Sequence, residues 1–306
     1  MVRLLVALWA MIATMPAAAQ APAYHSSIEE FDRFATETVA MPPAERVEAF
    51  RDRFNALVPG FYAPRFGATE ERYRERVRKA LEEYPAQRDR ILTAAREFKA
   101  AYETGNARFL RFFPDYKPTM PIYLLHSLGE MDGGTREIGG RTVAAFGADV
   151  IARIHTPDSI GPFLDHELFH FHHGRFFREC EAVWCSLWTE GLAVYVASRM
   201  NPGADDRILM LTQPRPIRPE VEPRLTEAMC YARARLESTD QAVYGAFFFG
   251  NGKSGFPPRF GYLLGYLLAQ KIGEGKSLDS LAKLPADQVK PLIEEALAAY
   301  DCPPAP

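Results

Sequence analysis

Apolar residues recur at helical spacing through most of the first third of the chain. Residues 27–30, Ser-Ile-Glu-Glu, have the form of a capping box that opens a helix. After Pro42 and Pro43 a second helix is predicted by apolar residues at intervals of three or four: Val47, Phe50, Phe54 and Leu57. Two further helical patterns run over about 69–84 and 86–102, so the N-terminal region is expected to be helical.

Short apolar segments replace the helical patterns after Pro118. Three of them are predicted as strands of a small antiparallel sheet: Pro121–Leu125, Thr142–Phe146 and Asp149–Ile154. Helical patterns resume at Pro157. We therefore expect an α+β fold that is mostly helical, with a boundary near 117 between a helical region over 20–117 and a second domain over 118–306.

The first 19 residues have the pattern of a secretory signal peptide. Arg3 precedes an apolar run over 4–15, and the small residues Ala17 and Ala19 follow. The run is shorter than the ~20 residues that a membrane-spanning helix needs, and no other stretch reaches that length. We predict cleavage after Ala19 and export to the periplasm or the medium, with no membrane span in the mature chain.

Charge and cysteine content narrow the possible partners and the compartment. The chain has 36 Lys+Arg and 39 Asp+Glu, a balance that argues against a nucleic-acid partner. Export permits disulfides, and four cysteines allow three pairings. A Cys180–Cys185 bond would close the shortest loop, and a Cys230–Cys302 bond would tie down the C-terminal tail. Free thiols and metal ligands are the alternatives.

The residues that carry chemistry lie between 166 and 190. His166 and His170 are four residues apart, so on a helix they lie about 40° apart on one face, where they can share a metal ion. Glu190 stands in a segment that is apolar on nearly all sides, where a carboxylate is costly unless it is paired or binds a metal. A catalytic zinc site takes three protein ligands, and Glu190 supplies the third. Gly191 beside it would let the two helices approach closely.

The pattern His166-Glu167-x-x-His170, followed after 19 residues by Glu190-Gly191, resembles the gluzincin metallopeptidases, of which thermolysin is a member. Uncharacterised bacterial proteins predicted to be zinc-dependent proteases resemble the chain over about 120–275, in four segments: Gly139-Gly140, His166–His170, Glu190–Ala193 and Gly261–Tyr266. The resemblance implies a zincin-like catalytic domain with an active-site helix. It also implies one Zn²⁺ per chain on His166, His170 and Glu190, with Glu167 as the general base.

The sequence also departs from better-known gluzincins. It lacks the Gly-x-Met-Glu-Asn motif of the aminopeptidases, and Val194 stands where the thermolysin group has an Asp that supports a zinc-bound His. An oxyanion in the reaction needs a further hydrogen-bond donor. Tyr262 and Tyr266 lie one turn apart on a predicted helix, and we favour Tyr262, partly from the resemblance; both could instead merely pack. Tyr195 is a weaker candidate.

Other polar residues near the motif receive weaker assignments. His172 and His173 point away from the metal face of an ideal helix, so we expect them at the surface. Arg259 could bind a substrate carboxylate, although a surface role is the preferred interpretation. An extended peptide is expected to add to the edge of the strand predicted at 149–154.

Two functions are consistent with these observations. The first is an exported zinc metallopeptidase that hydrolyses bonds in a peptide or protein substrate. The alternative is a non-enzymatic exported binding or assembly protein with a structural or vestigial zinc site, in which the helical N-terminal half is the working surface.

Overall fold

The computed structural model describes five segments of the chain: residues 23–65, 67–117, 120–178, 180–250 and 252–303. The predicted signal peptide, 1–19, lies outside them. They contain four strands: β1 (Tyr24–Ser26), β2 (Ile122–Leu125), β3 (Thr135–Ile138) and β4 (Arg141–Gly147). The helices are α1 (Ile28–Glu37), α2 (Pro43–Leu57), α3 (Glu70–Phe112), α4 (Ala148–Ile154), α5 (Pro157–His173), α6 (Val183–Met200), α7 (Arg218–Val221), α8 (Leu225–Arg233), α9 (Gln241–Phe248), α10 (Phe260–Ile272), α11 (Leu278–Ala282) and α12 (Ala286–Ala298). The mostly helical α+β class is confirmed.

The sheet is mixed, and the prediction of an antiparallel sheet is wrong. Its strand order is β1-β2-β4-β3, in which β1 is parallel to β2, β2 is parallel to β4, and only β3 is antiparallel to its neighbour. Gly139 and Gly140 join β3 to β4 with φ angles of 57° and 72°, as a tight two-residue hairpin requires. The strands predicted at 121–125 and 142–146 are confirmed as β2 and β4.

The strand predicted at Asp149–Ile154 is wrong, because these residues form α4. Val150 and Ile151 favour strands locally, but both are buried in a helix that packs on α3. The Asp149 carboxylate accepts hydrogen bonds from the backbone N–H groups of Ser127 and Gly129, each at 2.6 Å, which anchors the helix start. The peptide-binding edge predicted for this segment is therefore absent from it.

α3 is one helix of 43 residues where the sequence predicts two. Pro85 lies inside it and has no N–H to donate to the carbonyl of Leu81, one turn earlier. The guanidinium of Arg46, a buried residue of α2, lies 3.5 Å from that carbonyl and donates in its place. One buried apolar stripe therefore continues across the proline. α3 packs on α4 and α5, so elements on both sides of residue 117 are in contact, and the domain boundary stays a prediction.

α6 lies between α5 and α10, and these three helices carry the candidate site. At Gly191 of α6 and Gly265 of α10 the two backbones touch, since a Cβ added at either glycine would overlap the backbone of the other helix. The sequence predicts that Gly191 brings α6 close to the histidine helix. The close approach is instead to α10, which fixes the turn that carries Tyr262 beside the turn that carries Glu190.

Two disulfides join Cys180 to Cys185 and Cys230 to Cys302. The first closes a short loop at the start of α6, and the second fastens the C-terminal tail to α8, as the sequence suggested. Disulfides persist in oxidising compartments, which is compatible with an exported protein. Within the described segments, no helix combines the length and apolar character needed to cross a membrane.

Candidate metal centre

α5 directs two imidazoles into the same space. The Nε2 atoms of His166 and His170 are 3.0 Å apart. Leu164 and Leu168, on the opposite side of the helix, are buried and hold it to the core. Burial lowers the pKa of His166, which favours the neutral imidazole that a metal ion requires. The predicted histidine pair is therefore present on one helix face.

α6 brings Glu190 to the two imidazoles. Its Oε2 atom lies 3.4 Å from Nε2 of His166 and 3.5 Å from Nε2 of His170. Burial would raise the pKa of this carboxyl, but the neighbouring His170 and His166 outweigh it and hold the pKa well below its usual range. Glu190 is thus the ionised group on an otherwise apolar helix, and the structure brings it together with both histidines.

The spacing of these three atoms fits a metal ion. They form a triangle with edges of 3.0, 3.4 and 3.5 Å. The point in its plane that is equidistant from the corners lies about 1.9 Å from each, close to the ~2.0–2.2 Å of zinc bonds to imidazole and carboxylate. His166, His170 and Glu190 would therefore be able to hold one zinc ion together.

Glu167 lies beside the triangle without belonging to it. Burial raises the pKa of its carboxyl to about 7, and the nearby charge of Asp132 adds to the effect. A Cβ added at Gly133 would lie 3.2 Å from the carboxyl carbon of Glu167, so this glycine leaves room for the side chain. A half-buried carboxyl whose pKa is near 7 can both accept and release a proton at neutral pH.

The triangle and Glu167 open into a cleft of about 410 Å³. Tyr262 lines this cleft, whereas Tyr266 hydrogen-bonds to Ser198 and Gln270 and lies outside its lining, as does Tyr195. Arg259 also lines the cleft, which differs from the surface role preferred from the sequence. Burial and the charge of Glu190 raise the pKa of Tyr262, so its hydroxyl stays protonated and able to donate.

A buried ion pair that the sequence analysis missed holds α5 in place. Asp165, directly before His166, is fully buried and lies 2.7 Å from the guanidinium of Arg108 on α3. It also accepts a hydrogen bond of 2.8 Å from the side chain of Asn201, just after α6. One carboxylate thus links α5 to both neighbouring helices. The sequence offered one sign of this ion pair, an acidic residue on the apolar side of the helix that carries His166.

His172 and His173 are buried, so their predicted surface position is wrong. His172 packs against the aromatic rings of Phe109 and Phe113, and His173 stacks on Phe169 and Phe177. Burial lowers the pKa of His173 to about 3. His172 lies near Asp115 and Asp279, a second group of potential metal ligands. Its Nε2 atom is 3.9 Å from Asp115, wider than the spacing in the first group, and Lys283 pairs with both carboxylates. That group therefore already has its cation.

No protein-family model, characterised protein or solved structure matches this chain. The likeness to gluzincin peptidases and the zincin-like domain therefore stay predictions that rest on the motif from His166 to His170 and on Glu190. Independently of that likeness, the structure assembles two imidazole nitrogen donors, one carboxylate donor and a titratable carboxyl in one cleft. Such a constellation can hold a metal ion and move a proton next to it.

Proposed function

We propose that the protein is an exported zinc-dependent peptidase that hydrolyses peptide bonds in the cleft between α5, α6 and α10. The observation that carries the proposal is the triangle of His166, His170 and Glu190, with Glu167 beside it. Two imidazoles and one carboxylate are a ligand set of catalytic zinc, which leaves one position open for water or substrate. When bound, zinc polarises a carbonyl and lowers the pKa of a water molecule to ~7.

The side chains around the triangle suit the proton transfers of amide hydrolysis. Glu167 would accept a proton from the attacking water and deliver it to the leaving amine, because its carboxyl lies in the cleft beside the triangle without belonging to it. Tyr262 lines the same cleft and would donate its hydroxyl hydrogen to the carbonyl oxygen as negative charge develops there.

The decisive experiment compares the mature chain with its Glu167→Gln form. We expect about one zinc per chain in both proteins by elemental analysis, because Glu167 is not in the ligand triangle. Hydrolysis of a peptide library should fall ~10²- to 10⁴-fold in the variant, the usual contribution of a general base. Glu274→Gln, a change at an exposed position outside the cleft, is the matched control and should retain full activity. Chelation should abolish hydrolysis, and added zinc should restore it.

Full activity of Glu167→Gln would overturn the proposed mechanism. A mature chain that holds zinc, unfolds when it is removed and cleaves no peptide would instead favour the non-enzymatic binding or assembly protein.

A further inference from the structure

Arg259 brings a positive charge into the cleft that also holds the carboxylates of Glu167 and Glu190. It lines the cleft together with His166 and Glu167, yet among the described residues its guanidinium makes no ion pair with a carboxylate. Arg108 and Arg218, in contrast, lie 2.7 Å from Asp165 and Asp206. Because it makes no ion pair with a described residue, this half-buried guanidinium can pair with an anionic ligand that enters the cleft.

The surroundings of Arg259 hold its side chain in place. The guanidinium carbon lies 4.4 Å from the ring centroid of Tyr262, a distance at which the ring face attracts the cation. The backbone of Arg259 has φ of 65° and ψ of 14°, in the left-handed region, directly before α10 begins. This conformation is uncommon for a residue other than glycine, and it recurs at ligand-binding sites.

The size of the cleft limits which part of a substrate reaches Arg259. A volume of about 410 Å³ is at the small end for ligand pockets, so the cleft takes a short segment of peptide. Phe249, which is 73% exposed, adds an apolar wall to the lining. A carboxylate bound by Arg259 would therefore lie within one or two residues of the bond at the metal centre.

We propose that Arg259 binds a carboxylate of the substrate and makes the protein selective for peptides with a negative charge next to the scissile bond; this rests on the proposed peptidase function. A guanidinium can grip a carboxylate through two parallel hydrogen bonds, which fixes its position as well as its charge. The carboxylate is either a free C-terminus or the side chain of Asp or Glu.

Two pairs of peptides distinguish the sources of the carboxylate. In one pair the same sequence ends in a carboxylate or an amide, and in the other a residue next to the cleavage site is Glu or Gln. We expect the charged member of one pair to have a kcat/KM ~10- to 100-fold higher, the range of a charge-assisted hydrogen bond. Asparagine tolerates the left-handed backbone, so Arg259→Asn should fold normally. In this variant the ratio of kcat/KM between the charged and the uncharged peptide should fall close to one. Arg259→Lys should retain part of it.

The matched control is Arg233→Asn, an exposed arginine on α8 outside the cleft, which should leave the ratio as in the wild type. Calorimetric binding of the same peptides to zinc-loaded Glu167→Gln supplies a readout that does not depend on hydrolysis. Preferred binding of charged peptides that the wild type does not cleave would overturn the peptidase function and retain the role of Arg259. Equal binding and equal cleavage of both members of each pair would overturn the role of Arg259.

Discussion

The outer surface of α3 and the cleft at the metal centre are both rich in charged side chains, but the two regions arrange these side chains differently. The hollow along α3 is the larger of the two, about 1300 Å³ against about 410 Å³. On α3, Arg78 lies 2.7 Å from Glu75 and 2.6 Å from Glu82, so these charges neutralise one another. In the cleft, His166, His170 and Glu190 converge on one point, and Arg259 makes no ion pair with any residue that the structure describes. The chemistry of the lining, not its volume, identifies the candidate site.

The two regions also differ in how closely their helices pack. Replacing one glycine in each region tests this difference. A methyl group at Gly191 would overlap the backbone of Gly265 in α10, and neither helix can yield without moving the site. We expect Gly191→Ala to lower the free energy of unfolding by about 3 kcal/mol or more. Gly105→Ala in α3 is the matched control, because its methyl group would meet only the side chain of Leu164 at 3.9 Å.

Urea denaturation of the two variants measures this difference. Gly105→Ala should stabilise the protein by about 0.5–1 kcal/mol, because alanine restricts the unfolded chain and favours the helix. Similar stability of the two variants would mean that the contact between α6 and α10 does not constrain the site.

A second test compares a buried ion pair near the site with an exposed one of the same length. Arg108 lies 2.7 Å from the buried Asp165, and Arg207 lies 2.7 Å from Asp158 on the surface. Removing Arg108 leaves a buried carboxylate without its cation. Because Arg108 itself is partly exposed, we expect Arg108→Met to cost about 2 kcal/mol, less than for a fully buried pair. Arg207→Met should leave stability close to that of the wild type.

The cost of Arg108→Met should depend on pH in a defined direction. Burial raises the pKa of Asp165, and Arg108 opposes this rise. Without Arg108 the pKa of Asp165 in the folded protein rises further above the ~3.9 of an Asp in the unfolded chain. The folded state then binds this proton more tightly than the unfolded state does. The deficit relative to the wild type should therefore be full at neutral pH and shrink as the pH falls towards 4. A deficit that grew on acidification would contradict this role of Asp165.

The local pattern of the sequence was sufficient to predict the site residues whose role follows from the helix they stand on. His166 and His170 follow from helical spacing, and Glu190 from the cost of a carboxylate in an apolar helix. α4 could not be predicted in this way, because tertiary contacts override the strand preference of Val150 and Ile151.

Long-range contacts explain the other differences. The pairing of Gly191 with Gly265 and of Asp165 with Arg108 joins residues that are distant in the sequence. His172 and His173 face outward on an isolated α5, and side chains that pack on them, such as Phe109 on His172 and Phe177 on His173, make that side an interior. The spacing of residues predicts which side chains share a helix face. It does not predict which other elements pack on that face.

The smallest effect is expected for Arg78→Gln on α3. This variant tests whether the hollow along α3 contributes to activity. Arg78 and both its partners, Glu75 and Glu82, are largely exposed, and water replaces lost surface ion pairs at little cost. We expect the melting temperature to change by at most about 1 °C, with unchanged kcat/KM for the peptides that Arg259 distinguishes. A tenfold loss of activity would show that the hollow along α3 takes part in substrate binding. The contrast between neutralised and available charges would then no longer locate the site.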